Sequence, residues 1–123
     1  MRIIIIDDEL YSLDLLETMI HMVDSKHIII SRHQNPLEAI PVVLATKPDL
    51  LILDNQMPYL AGTDLIKMLM HTGCYFVLIS ACEIDNSFHN ESFTNVYTLV
   101  KPFSTNQLRV ILASIEKELK LVT

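Results

Sequence analysis

Short apolar runs, each closed by a polar or charged residue, most tightly constrain how this chain can fold. Ile3–Ile6 ends at Asp7-Asp8, Leu50–Leu53 at Asp54, Tyr75–Ile79 at Ser80, and Thr98–Val100, reaching back to Val96, at Lys101. A strand with one wet face alternates apolar and polar residues, whereas a continuous apolar run suits a strand covered on both faces. His27–Ser31, with its three isoleucines, reads as one more strand. Between the runs, apolar residues recur at helical spacing. The inward stripes are Leu13, Leu16, Ile20 and Val23, then Leu37, Ile40, Val43 and Leu44, then Leu65, Ile66 and Leu69. The last stripe is Leu108, Ile111, Leu112, Ile115 and Leu119. Strands alternating with helices predict an α/β fold: a doubly wound, five-stranded parallel sheet covered on both faces, with right-handed crossovers.

Local signals sharpen two helix starts. Asn35-Pro36-Leu37-Glu38 combines a cap, a proline at the first helical position and an acid for a capping box, although Pro41 is expected to shift that start. Ser104 with Gln107 is a second capping-box pair. Pro58 and Gly62 break the backbone after Asp54. Cys82–Asn95 is polar, with Asn86, Asn90, Asn95, Ser87 and Ser92, and supports at most a short helix.

With 123 residues, half of them hydrophobic, the chain suits one domain, residues 1–123, with no output domain beside it. A net charge of −6 excludes a basic nucleic-acid footprint. The opening apolar run is too short for a secretion signal, and no run approaches the roughly 20 apolar residues of a membrane span. Cys74 and Cys82 lack metal-site spacing, so a reduced, cytoplasmic setting is expected. His21, His27, His33, His71 and His89 are scattered and are read as surface or satisfied side chains. Met19, Met22, Met68 and Met70 are read as core filler.

In a parallel sheet the residues that close the strands share one edge, where open α/β sheets place their sites. That edge collects Asp7, Asp8 and Asp54, the Ser80 hydroxyl and the Lys101 ammonium. Clustered carboxylates repel unless a cation or a proton intervenes. Mg²⁺ resolves the conflict with oxygen ligands, and a carboxylate beside it can attack phosphorus. Taken alone, Asp54 could merely cap a turn, and Asp7-Asp8 could merely cap the first helix.

The chain resembles the receiver domain of bacterial two-component response regulators over essentially its whole length. The matching motifs are Ile5-Ile6-Asp7-Asp8-Glu9, Leu53-Asp54 through Met57-Pro58 to Gly62, Ser80-Ala81, and Lys101-Pro102-Phe103. Asp54 lies 46 residues after Asp8, and Lys101 lies 47 after Asp54. The resemblance implies a flavodoxin-like, CheY-like (βα)5 fold with strand order 2-1-3-4-5. It implies that Asp54 accepts phosphate from a histidine kinase or phosphotransfer protein. Mg²⁺ would be held by Asp7, Asp8, Asp54 and the backbone carbonyl of Gln56. Ser80 would hydrogen-bond the phosphoryl group, Lys101 would pair with it, and the Lys101–Pro102 bond would be cis. Only weak self-phosphorylation and dephosphorylation would accompany this, so the chain is not expected to be a metabolic enzyme.

The chain departs from the family pattern in two places. The usual aromatic three positions before the lysine is Thr98 here, and Tyr97 beside it points to the other face of a strand unless a bulge intervenes. Phe93-Thr94-Asn95-Val96 replaces the usual Gly-Ala. The expected output face is therefore Cys82–Asn95 with strand five and the last helix, where Arg109, Glu116 and Lys117 are expected to be exposed. It would meet a downstream partner or an output domain, with homodimerisation open and no direct contact to nucleic acid or membrane. Three other readings compete. A haloacid-dehalogenase-type phosphatase wants an acid two residues after its nucleophile, and Gln56 stands there. A flavin carrier needs a Ser/Thr/Gly-rich phosphate loop where Asp7-Asp8-Glu9 would repel phosphate. A degenerate receiver, acting only as a binding module, would not need the intact acids and lysine.

Overall fold

A computed structural model describes residues 1–82 and 94–122. In chain order the elements are β1 (Arg2–Ile6), α1 (Leu10–Val23), β2 (Ile28–His33), α2 (Pro36–Thr46) and β3 (Leu50–Asp54). Then come α3 (Gly62–Leu69), a 3₁₀ turn at Met70–Thr72, β4 (Tyr75–Ser80), β5 (Val96–Val100) and α4 (Thr105–Val122). All strand pairs are parallel, in the order β2-β1-β3-β4-β5. This is the expected flavodoxin-like α/β sheet. A fifth helix, and most of the Cys82–Asn95 segment assigned to output, would lie in 83–93, outside the described residues. No helix among the described residues is long and apolar enough to cross a membrane.

The continuous apolar runs have the expected cause. Alternate residues of each strand feed opposite core layers, so a central strand has no wet face. Ile4, Ile6, Leu51, Leu53, Phe76 and Leu78 pack with Ala39 and Val43 of α2 and with Leu65, Ile66 and Leu69 of α3. Ile3, Ile5, Leu50, Ile52, Val77 and Ile79 pack with Leu13, Leu16 and Ile20 of α1 and with Leu108, Leu112 and Ile115 of α4. The register sets Ile6 beside Leu53, Asp54 beside Ile79, and Ser80 beside Val100. The strand ends are therefore level, and the polar residues that close them meet at one edge.

Local chemistry explains the helix ends. Asn35 accepts a hydrogen bond from the Leu37 amide at 2.9 Å, and Pro36 takes the first position of α2. Ser104 and Gln107 form the reciprocal box: Gln107 Oε1 accepts from the Ser104 amide at 2.7 Å, and Ser104 Oγ from the Gln107 amide at 3.1 Å.

Several expectations need correction. Pro41 does not move the start of α2; it sits inside the helix. Leu37 and Leu44 are exposed, while Val43 and Ile40 reach the core as expected and Pro36 and Ala39 join them. Nearly every residue from 36 to 45 is apolar, so periodicity had too little contrast to choose the face. Met22 and Met68 are exposed rather than core, whereas Met19 and Met70 pack against it. β2 starts at Ile28 and continues through Arg32 to His33; as an edge strand it tolerates polar residues that a central one would not. His27 is buried, and Glu116 is only partly exposed and faces it.

Candidate functional site

Asp7 follows the last residue of β1, and its amide donates to the His33 carbonyl at 3.1 Å, which extends the sheet pairing by one residue. Its Oδ1 accepts from the Glu9 amide at 2.9 Å, so the side chain is turned back over the loop into α1. The helix itself begins at Leu10 with Glu9 at its cap, so neither Asp7 nor Asp8 is the cap residue. Asp54 is the last residue of β3 and is buried. One carboxylate oxygen from each of Asp7, Asp8 and Asp54 lies within 4.8 Å of the other two.

Lys101 closes the other side. Its amide donates to the Ser80 carbonyl at 2.8 Å, and its Nζ stands 3.4 Å from Asp54 Oδ1. The Lys101–Pro102 peptide is cis, as expected. Burial pushes the Asp7 carboxyl up to about 6; the Glu9 amide opposes the shift, and Asp54 adds to it. Burial also raises Asp54, against the pull of Lys101. One lysine therefore does not neutralise the cluster. Three carboxylates at this separation fit the oxygen-only ligand set of Mg²⁺, which brings its ligands to about 2.1 Å and keeps several waters.

The loop after Asp54 is tied down by a residue that sequence reasoning passed over. Asn55 donates its amide to Ile79, accepts from the Gly62 amide through its carbonyl, and accepts from the Thr63 amide through Oδ1. Gly62 is sterically required there. A β-carbon on it would lie 2.6 Å from the Asp54 carbonyl oxygen and 2.8 Å from Leu78 Cδ1. The motif drew attention to Gly62, but only the packing explains it. Within that loop Gln56 is exposed, and Tyr59 is both exposed and in the left-handed region at φ 73°.

Ser80 is buried at the end of β4, and its hydroxyl is hydrogen-bonded to the backbone of Cys82. Oγ donates to the Cys82 carbonyl at 2.6 Å and accepts from the Cys82 amide at 3.2 Å. The β4–β5 register is regular, so Tyr97 falls on the α1/α4 side of the sheet with Leu99. Its hydroxyl donates to Glu118 Oε1 of α4. Tyr97 thus does not replace the aromatic missing at Thr98, as the strand-parity argument required. A cavity of about 280 Å³ opens beside Asp7 and Lys101, floored by Leu16, Met19, Ile79 and Phe103. Nothing in the spacing of the sequence announced it.

Residues 3–113 match the family model described as the response regulator receiver domain. The chain belongs to that family. This receiver domain is 32% identical, over 120 residues, to an uncharacterized response regulatory protein of Shewanella oneidensis, covering 94% of the chain and 49% of that protein. It spans about half the length of the curated relatives it matches. Among solved structures it superposes on the response regulatory domain of protein mrkE from Klebsiella pneumoniae with a TM-score of 0.85. That match has 19% identity and covers 98% of this chain and 99% of the other. The CheX–CheY–BeF₃–Mg²⁺ complex from Borrelia burgdorferi aligns with a TM-score of 0.77 and 19% identity, over 91% of this receiver and 87% of that chain. At such identities the structural matches establish the fold.

Proposed function

We propose that this receiver domain accepts a phosphoryl group on Asp54 from a phosphohistidine of a histidine kinase or phosphotransfer protein in the cytoplasm. The observation that carries the reading is the placement of one buried carboxylate between two other acids and an ammonium 3.4 Å away. Asp7, Asp8, Asp54 and the Gln56 carbonyl are the groups that would hold Mg²⁺. When bound, the ion withdraws charge from the phosphoryl oxygens and relieves repulsion among the acids. An Asp54 carboxylate oxygen attacks phosphorus; the new O–P bond forms as the donor's P–N bond breaks, and the imidazole leaves with the bonding pair. Lys101 pairs with the transferred group, through charge and hydrogen bonding.

To donate to the new oxygens, the Ser80 hydroxyl must give up its bond to the Cys82 carbonyl, so phosphorylation would loosen the backbone that leaves β4. That change is how the domain would alter its contacts with a downstream partner or an output domain across 82–95, β5 and α4. Leu10, Tyr11 and Leu15 leave apolar surface exposed on α1 and suit the incoming donor protein. No independent metabolic turnover is expected. Intact mass after incubation with acetyl phosphate tests the reading. A gain of one phosphoryl group that requires Mg²⁺ and is absent in Asp54→Asn supports it. No gain in a folded protein, or sustained phosphate release from sugar phosphates or nucleotides, overturns it.

A further inference from the structure

The opposite end of the sheet carries a second cluster that phosphoryl chemistry does not use. Asp24 is the C-cap of α1, His27 immediately precedes β2, and Glu116 lies on α4. One ligand atom from each lies within 4.8 Å of the other two. The His27 side chain is 2% exposed. Its Nδ1 sits 3.0 Å from the Met1 α-amino nitrogen. Its Nε2 is buried and without a hydrogen bond; Glu116 Oε1 is 3.1 Å away but outside hydrogen-bond geometry. Buried ring nitrogens are seldom left so. Asp24 Oδ1 accepts from the Lys26 amide at 2.9 Å, which leaves its second oxygen available.

We infer that Asp24, His27 and Glu116 form a binding site for a divalent transition metal of the Zn²⁺ class. One imidazole nitrogen with two carboxylate oxygens is a zinc-type donor set, with a fourth position for water, whereas Mg²⁺ favours oxygen alone. Adjacent ligands of a tetrahedral zinc ion stand about 3.3 Å apart, close to the His27–Glu116 separation, and an off-axis carboxylate is what a shared ion between them requires. The ion would fasten α4 to the turn between α1 and β2, far from Asp54 along the sheet.

Calorimetric titration of the chain with ZnCl₂, in excess Mg²⁺ to occupy the carboxyl-end cluster, tests this. One Zn²⁺ per chain is expected, weakened at least about tenfold in Glu116→Gln and in Asp24→Asn, and unchanged in Asp54→Asn. In the same titration of wild type, the His27 ring resonances should shift with one equivalent. Absence of binding, binding that survives both amide variants, loss of binding in Asp54→Asn, or a His27 ring that does not respond would each overturn the site. The wild-type resonance readout decides the matter even if a variant folds poorly.

Discussion

The two ends of the parallel sheet both gather charge, and they do so in opposite ways. At the carboxyl end, Asp7, Asp8 and Asp54 crowd together with Lys101 as the ammonium that faces them, and burial lifts Asp7 and Asp54 above the ordinary carboxylate range. At the amino end, Asp49 accepts from the Arg2 amide at 2.8 Å, and the Arg2 guanidinium donates to the Lys47 carbonyl at 3.0 Å. There Asp49 and Arg2 each have a hydrogen-bond partner. One end stores conflict that a divalent cation can relieve, while around Asp49 the other end closes the sheet. The contrast predicts that removing an acid has opposite signs at the two ends, read as unfolding free energy in metal-free buffer.

The largest effect should come from crowding the carboxyl end further. Gly62→Ala places a β-carbon against the Asp54 carbonyl and Leu78, at distances no relaxed contact allows. A loss of about 2–3 kcal/mol in urea unfolding is expected, with weakened Mg²⁺ binding because the Asp54 backbone must shift. Wild-type stability and affinity in this variant would show that the loop absorbs the clash without disturbing the site.

The second effect should have the opposite sign. Asp7→Asn keeps an oxygen for the Glu9 amide and removes one crowded charge. Folded Asp7 holds its proton to a higher pH, about 6, than its ordinary value of 3.8. Its contribution to stability is therefore full below about 3.8 and is lost as pH rises through about 6. At pH 7 without metal, Asp7→Asn should be more stable than wild type by roughly 1–3 kcal/mol, with the gap closing as pH falls below 6. Saturating Mg²⁺ should reverse the order by stabilising wild type alone. An Asp7→Asn protein less stable than wild type in metal-free buffer at pH 7 would remove the stored conflict from the account.

Why one end was legible in the sequence and the other was not follows from how each is built. Asp7, Asp54, Ser80 and Lys101 each close or directly follow an apolar run, so strand parity and level ends place them together without coordinates. The core stripes of α1 and α4 were legible because Asp14, Glu17 and Thr18, or Gln107, Arg109, Ser114 and Lys117, break the apolar run and mark the outer face. In α2 that contrast disappears, and only Ile40 and Val43 of the expected stripe reach the core. The amino-end cluster draws on a helix cap, a pre-strand turn and a helix more than eighty residues later. No local pattern links Asp24 and His27 to Glu116, and only docking of α4 beside α1 brings them together. The Ser80 hydroxyl is a different case: its position at the strand end was read from the sequence, but its bonds to Cys82 depend on a backbone turn.

The third effect, at the amino end, is the mirror image of the second. Asp49→Ala removes the acceptor of the Arg2 amide where β1 begins. The bond is exposed, so water partly replaces it, and a loss of about 0.5–1 kcal/mol is expected, without change in Mg²⁺ affinity. A gain in stability instead would mean that acids are in conflict at both ends, and the contrast between them would fail.

The smallest stability effect should accompany a large loss of chemistry. Lys101 approaches Asp54 to 3.4 Å, yet its side chain is 42% exposed, so water and salt screen the pair. Lys101→Met keeps the length of the side chain and removes the ammonium. The unfolding free energy should change by less than about 1 kcal/mol. Phosphorylation by acetyl phosphate should nevertheless slow by about a hundredfold, because the ammonium meets charge that exists only once phosphorus is in place. Equal rates in the two proteins would mean that Lys101 is a surface lysine that happens to rest near Asp54. A large loss of stability with unchanged rates would make it a structural counter-ion. Only a small change in stability combined with a large change in rate assigns the crowded edge of the sheet to phosphoryl transfer rather than to holding the fold together.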